Sequence, residues 1–182
     1  MLPDHIDHGL TAVFVGSSVA TASAANGHYY SGPGNQFWGL LWEAGLTGDE
    51  KLVPEQDAML IKFGLGVTDV VKGRAASTDS LLRPADYDVP AFLRKIETFN
   101  PYLVAFNGIT VAGKVFRAMN EPNPSLGASR VRIAETKVFV LPSSSGANAN
   151  PRNFSPKATK AGWWCELGEL LRSSGRRLPR RG

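Results

Sequence analysis

Four short runs in this 182-residue chain have the residue types for chemistry: Ser17-Ser18, Thr68-Asp69, Asn107-Gly108 and Ser143-Ser144-Ser145-Gly146. Each follows an apolar, β-branched stretch and is therefore expected at the end of a strand. A carboxylate in such a place, Asp69, can attract developing positive charge and orient or deprotonate a water. The hydroxyl of Ser18 can hold a water but supplies no counter-charge. Asn107 can position a water and cannot neutralise charge. Asp79, Asp86 and Asp88 are poorer candidates, because they fall in a polar loop or at a helix start. An aspartate after a strand can also serve the turn alone, so Asp69 carries both readings.

Several other chemistries are excluded. A single cysteine, Cys165, rules out an intramolecular disulfide and a four-thiolate metal site, and a reducing cytosol is the expected location. The three histidines, His5, His8 and His28, all precede residue 29, and the serine cluster lacks a strand-to-helix elbow, which disfavours a serine hydrolase triad. Gly64-x-Gly66 is a weak dinucleotide signal, since Asp69 occupies the third glycine position, and no phosphate-cradling lysine motif is present. No metal or other cofactor is expected. No apolar run approaches the ~20 residues of a membrane span, so no membrane partner is expected, and a monomer is.

The charge is unevenly placed. Residues 1–69 carry two lysines against eight acids, whereas residues 70–182 carry 18 basic against 8 acidic groups, a balance that suits a nucleic-acid surface. Five of those arginines (172, 176, 177, 180 and 181) lie in residues 172–182, read as a basic, disordered tail able to contact polyanions. The remainder, residues 1–171, is expected to form one domain.

The elements that must carry these residues alternate. Strands are predicted over Thr11–Val15, Gly64–Asp69, Tyr102–Phe106 and Val138–Leu141. Helices are predicted from Asn35, as cap, to Ala44; from Pro54 to Phe63; from Val89, capped by Asp88, to Phe99; over Thr110–Met119; and from Pro156 to Leu171. Ser17–Pro33, with adjacent Tyr29 and Tyr30, is too long for a tight turn and is a functional-loop candidate. Alternating strands and helices imply a mainly parallel sheet covered on both faces, an α/β fold, with ligands bound outside the carboxyl ends of the strands. The four polar runs would then share one edge.

The run Gly27-His-Tyr-Tyr-Ser-Gly-Pro-Gly-Asn-Gln-Phe-Trp38, followed by Glu43-Ala-Gly-Leu-Thr47, closely resembles the mismatch-specific uracil- and thymine-DNA glycosylase family. Gly64-Leu-Gly-Val-Thr-Asp-Val-Val71 is similar to that family's second strand segment, and Val138-Phe-Val-Leu-Pro-Ser-Ser-Ser145 to its strand leading into the DNA-inserting loop. The resemblance spans residues of about 10 to 172. It implies a three-layer α/β/α uracil-DNA glycosylase-like fold and a base-excision repair enzyme. Such an enzyme flips a mispaired or damaged base from double-stranded DNA and hydrolyses its bond to deoxyribose.

Position by position, the resemblance places Tyr30 where an aromatic ring stacks on the flipped pyrimidine and Asn35 beside the base pocket. Ser143 heads the phosphate-holding segment, and Ser145, Gly146, Ala147 and Asn148 form the wedge that fills the vacated stack. Two departures stand out. The family's Gly-Ile-Asn-Pro-Gly, whose asparagine positions the attacking water, is here Gly16-Ser17-Ser18-Val19-Ala20, and the wedge has Ala147 or Asn148 for a larger side chain.

With the asparagine gone, Asp69 and Ser18 are the catalytic candidates, by the logic of carboxylates in glycoside hydrolysis. Ser17, through main-chain amides nearby, and Asn35 would read the base edge, and small residues at 17–20 would leave room for several bases, uracil opposite guanine among them. One of Tyr29 and Tyr30 would stack and the other could pack in the core. Arg152, Lys157 and Lys160, flanking the inserting loop, are candidates for phosphate contacts, with a solvated helix start as the alternative. No lysine accompanies the catalytic edge, so a monofunctional enzyme is expected. The alternatives are a non-catalytic, lesion-recognising DNA-binding relative and a generic nucleotide-binding α/β enzyme.

Overall fold

The computed structural model describes residues 2–176, 178 and 179. In chain order its elements are β1 (Ala12–Ser18), α1 (Thr21–Asn26), α2 (Phe37–Glu43), β2 (Leu65–Val71), α3 (Val89–Phe99), β3 (Leu103–Asn107), α4 (Ile109–Ala118), β4 (Gly127–Ile133), β5 (Thr136–Leu141) and α5 (Lys160–Ser173). The sheet order is β2-β1-β3-β5-β4. β2, β1, β3 and β5 are mutually parallel, and β4 pairs antiparallel with β5 at one edge.

Alternation along the buried strands builds the two flanking layers. Ala12 and Phe14 of β1 face a core shared with Phe37 of α2 and Trp164 and Leu167 of α5. Val13 and Val15 face the other core, with Phe92 and Ile96 of α3 and Val115 and Phe116 of α4. Strands buried on both faces read as continuous apolar runs, which is why β1, β3 and β5 were legible. The result is the expected three-layer α/β/α arrangement around a mainly parallel sheet.

Several boundaries differ from the sequence expectation. β1 runs to Ser18 and β2 to Val71, so Ser17, Ser18 and Asp69 lie within strand ends and not beyond them. Residues 54–63 form a 3-10 helix interrupted at Gln56, whose backbone is non-helical. The loop of residues 17–33 contains α1. β4 has no counterpart among the expected strands, although Val131 and Ile133 alternate with Arg130 and Arg132 as in a half-buried edge strand.

The last helix begins at Lys160, where Thr159 Oγ1 accepts from Gly162 N at 3.2 Å, and not at Pro156. It also runs through Ser173, so the boundary at residue 172 is corrected: Arg172 belongs to the helix and donates to the Ala44 carbonyl at 2.9 Å. The guanidinium of Arg176 sits 4.8 Å from the centre of the Tyr102 ring. Arg177, Arg180 and Arg181 lie outside the described residues.

The topology also places the crevice. From β1 the chain leaves to β2 on one side and returns to β3 on the other. The segments following β1 and β3 therefore diverge, opening a gap at their carboxyl ends. On the far side of β2 the N-terminal segment adds one antiparallel bridge, His5 to Val67, with backbone hydrogen bonds of 3.1 and 2.8 Å. A Cβ at Gly66 would stand 2.6 Å from the His5 carbonyl oxygen. Gly66 is thus explained by this close approach, and the glycine pair carries no phosphate-binding turn.

Candidate active site

A cleft of about 570 Å³ opens where the four parallel strands end. It brings together Ser17, Ser18, Tyr30, Asn35, Asp69, Ser143, Ser145 and Asn148, and adds Gly16, Asn107 and Ser144. Gly146 and Ala147 sit exposed at the tip of the adjoining loop, outside the lining, and Arg152 is exposed beyond them. Lys157 is 2.7 Å from Glu166 and lies over the Trp163 ring. Among the described residues no group of three or more His, Cys, Asp and Glu is arranged to hold a metal ion, and no helix is long and apolar enough to cross a membrane.

Asp69 sits at the floor of the cleft. It is 2 % exposed, and its Oδ2 has no hydrogen-bond partner among the described residues. The strand register sets it opposite Gly16, and a Cβ at Gly16 would collide with Asp69 Oδ1. Gly16 is therefore the residue that leaves room for the carboxylate, a role masked in the sequence because a glycine after an apolar run reads simply as a strand stop. Burial pushes the Asp69 carboxyl up to about 7; Lys72 and Lys95 pull the other way, while the negative charges of Asp4 and Asp79 add to the rise. A carboxyl group with that affinity is poised to exchange protons near neutrality.

Lys72 and Lys95 do not neutralise Asp69 because another acid holds them. Asp4 forms ion pairs with Lys72 and, at 2.5 Å, with Lys95, and accepts from Thr68 Oγ1 at 2.6 Å. Burial alone would raise the Asp4 carboxyl, yet the hydrogen bonds from Lys72, Lys95 and Thr68 outweigh it and hold it below the ordinary aspartate value. Lys72 also donates to the Tyr29 hydroxyl at 3.0 Å. No local pattern announces this cluster, whose members are separated by up to 91 positions.

The two adjacent tyrosines divide their work. Tyr29 is 2 % exposed and anchored, its backbone N donating to Asp57 Oδ2 at 2.9 Å, so it is the one that packs in the core. Tyr30 adopts a left-handed backbone, φ 54°, which turns its ring onto Phe37 with centroids 4.0 Å apart. Its hydroxyl lies 3.3 Å from where a Gly16 Cβ would stand and, among the described residues, makes no well-aligned hydrogen bond, the Asn107 amide being its polar neighbour. Burial, and then the charge of Asp69, raise the phenol above its ordinary value, while the Asn107 amide beside it acts in the opposite direction.

A side-chain relay ties the other wall together. Asn107 Nδ2 donates to Ser144 Oγ at 2.8 Å, and Ser144 Oγ donates to Asn35 Oδ1 at 3.0 Å. Ser144 N returns a bond to Asn107 Oδ1 at 2.8 Å. Asn35 Oδ1 also accepts from Phe37 N at 3.0 Å, so its carbonyl is fully occupied and its NH2 group is the part left to meet a ligand. The expected capping role is displaced by one residue: Gln36 is the N-cap of α2, and Asn35 satisfies the amide of Phe37.

The loop after β5 is built from its own polar atoms. Ser143 Oγ accepts from Ser145 N at 3.2 Å, Ser145 Oγ from Ala147 N at 3.3 Å, and Asn148 Nδ2 donates to the Ser143 carbonyl at 3.3 Å. A Cβ at Gly146 would stand 2.6 Å from the Gly34 carbonyl, so a glycine is required where the two loops touch. Lys160 is not a phosphate ligand: it is 7 % exposed, donates to Ser145 O and Gln36 Oε1 at 2.8 and 2.9 Å, and pins the loop to α2. Burial lowers its ammonium affinity for the proton.

The model of the uracil DNA glycosylase superfamily matches residues 3–168. A candidate uracil DNA glycosylase from Methanosarcina acetivorans, known from a solution NMR structure, has a similar fold, with a TM-score of 0.62 and 26 % sequence identity. The match covers 94 % of this chain and 96 % of that one.

Proposed function

The chain belongs to the uracil DNA glycosylase superfamily, and from that premise we propose that it is a monofunctional base-excision enzyme acting on double-stranded DNA. It would flip a mispaired or damaged base, uracil opposite guanine first among them, into the cleft and hydrolyse the N-glycosidic bond. The observation that carries the proposal is the buried carboxylate of Asp69 in the lining of the cleft, with an Oδ2 that has no hydrogen-bond partner among the described residues.

The reaction needs three things: a site for the base, stabilisation of a sugar cation, and a base for water. The Tyr30 ring, backed by Phe37, supplies a stacking face, and the Asn35 NH2 donates to a carbonyl oxygen on the base edge. That donor favours uracil-like rings over cytosine, whose exocyclic amine would confront it. As the C1′–N1 bond breaks, its electron pair leaves with the base, and the ionised Asp69 carboxylate attracts the oxocarbenium charge. The water oxygen then bonds to C1′ and its proton passes to Asp69. Ser18, in the place of the family's asparagine, lines the same cleft and can hold the water from one side.

The phosphate backbone would be met by Ser143, whose hydroxyl proton is not committed within the loop, and by exposed Arg152. Gly146 and Ala147 at the loop tip are small, so extrusion would depend less on a wedge than on capture of the flipped base. The absence of the asparagine favours one other reading, a lesion-binding protein without catalysis. Incubating a duplex containing a uracil–guanine pair and cleaving abasic sites with alkali separates the two. Product with the native protein and its loss in Asp69→Asn supports the enzyme; duplex binding without product from the native protein supports the binder.

A further inference from the structure

Two buried polar groups in this cleft, the Tyr30 hydroxyl and the Asp69 carboxyl, each hold an atom without a well-aligned partner among the described residues, and both groups adjoin Gly16. Tyr30 Oη and Asp69 Oδ2 are both shielded and, among the described residues, make no well-aligned hydrogen bond, while the Tyr30 hydroxyl and the other Asp69 oxygen, Oδ1, both crowd the position that a Gly16 Cβ would take. A buried polar atom left unsatisfied costs about 1–3 kcal/mol, so a pair of them beside one site calls for a shared ligand with both donor and acceptor capacity. Water is such a ligand, being satisfied by two to four polar neighbours.

The orientation of the phenol follows from its surroundings. Asn107 is locked by Ser144, its Oδ1 accepting from Ser144 N and its Nδ2 donating to Ser144 Oγ. Its amide lies beside Tyr30 Oη, so its second proton faces a lone pair of that oxygen and leaves the Tyr30 proton to be donated elsewhere. Asp69 can only accept when ionised. A molecule lying between them must accept from Tyr30 and donate to Asp69.

We infer that the Tyr30 hydroxyl and the Asp69 carboxylate together hold the attacking water, so that Tyr30 is a catalytic residue through its hydroxyl and not only a stacking platform. The inference rests on the glycosylase reading above. The water accepts from Tyr30 O–H, donates one proton to Asp69, and turns its remaining lone pair to C1′. When it attacks, its oxygen bonds to C1′, the C1′–N1 pair departs with the base, and its proton moves to Asp69. Tyr30 keeps its own proton throughout, as burial and the neighbouring carboxylate both favour the neutral phenol. The hydroxyl thereby supplies the directional hold that the family's asparagine gives elsewhere.

Tyr30→Phe keeps the ring and removes only the hydroxyl. In single-turnover excision from the uracil–guanine duplex, its rate is expected to fall by about 10- to 100-fold, the cost of losing one buried hydrogen bond, with duplex affinity unchanged within about twofold. Tyr30→4-aminophenylalanine, which restores a donor on the same ring, is expected to recover most of the rate, and this rescue excludes a simple folding defect. A full native rate in Tyr30→Phe, or no recovery with the amino ring, overturns the inference, while loss of activity in Asp69→Asn in the same assay leaves the glycosylase reading standing. A native protein that excises no base overturns the reading and the inference with it.

Discussion

Two aspartates lie on either side of Thr68 and meet opposite fates. Asp4, brought in by the N-terminal segment along the outer edge of β2, is saturated by Lys72, Lys95 and the Thr68 hydroxyl and is held below its ordinary pKa. Asp69, on β2 itself, has an unpartnered oxygen and is raised to about 7. The lysines that could quench Asp69 are already committed to Asp4. A saturated carboxylate holds chain segments together; one kept dry and unpaired retains its affinity for a proton. The contrast identifies the first as a clasp and the second as the candidate for chemistry.

Removing the unpaired charge is the most direct way to break the comparison. Asp69→Asn is expected to lower uracil excision by about 10³-fold or more. The folded state of the native protein binds more protons than the unfolded chain between the ordinary aspartate value and about 7, so its stability falls as pH rises through that window. The amide carries no such penalty, and the variant should melt higher than the native protein at pH 8, on the order of 5 °C, with little difference at pH 4. Equal melting temperatures at pH 8 would show that Asp69 carries no burial penalty.

Gly16→Ala attacks the same carboxylate sterically. Its Cβ collides with Asp69 Oδ1, and a displacement of about 1 Å at a reacting group can cost ~100-fold in rate. Single-turnover kinetics should show that loss, with the pH dependence distorted as the carboxylate moves; a native rate would mean that Asp69 need not occupy this position.

Asp4→Asn sharpens the contrast from the other side. It removes a negative neighbour of Asp69 and releases Lys72 and Lys95, all of which lower the Asp69 pKa. Native excision should rise with pH through about 7 as Asp69 ionises. In the variant that rise should move toward acid, giving a higher fraction of maximal rate at pH 6, while the melting temperature falls with the clasp. An unmoved pH profile would uncouple the two aspartates.

The smallest effect concerns the amide wall. Ser144→Ala breaks the relay between Asn107 and Asn35 and should raise KM for uracil-containing duplex about 5- to 30-fold, as the loss of one or two hydrogen bonds at about 1 kcal/mol each implies, with kcat nearly unchanged. An equal fall in kcat would place Ser144 closer to the reacting atoms than the relay implies.

The sequence was most informative where structure is local. Apolar runs ending in polar residues mark β1, β2, β3 and β5 and hence the edge that carries the candidate site, since a parallel strand buried on both faces is held to apolar residues. The Tyr30-to-Trp38 block, through its resemblance, pointed to Tyr30 and Asn35, which both line the cleft. β4 is hidden in the sequence because its period-two pattern is short and carries two arginines on its open face. Lys160 read as a surface cation because its burial depends on where the loop after β5 lies, 15 positions earlier in the chain.

Asp69 could be nominated from its place after a β-branched run, and the types of Tyr30, Asn35 and Ser18 were plain from the start. What the chain order could not supply was their electrostatic condition. Whether a carboxylate is quenched or left bare depends on which lysines reach it, and Lys72 and Lys95 are turned away by an aspartate 65 positions upstream of Asp69 that arrives only when the N-terminal segment docks on β2. Likewise, Gly16 gains its meaning only from the register that sets it against Asp69. Residue identity determined the available chemistry; packing decided its charge state, because desolvation and Coulomb energy depend on distances that only the folded chain defines.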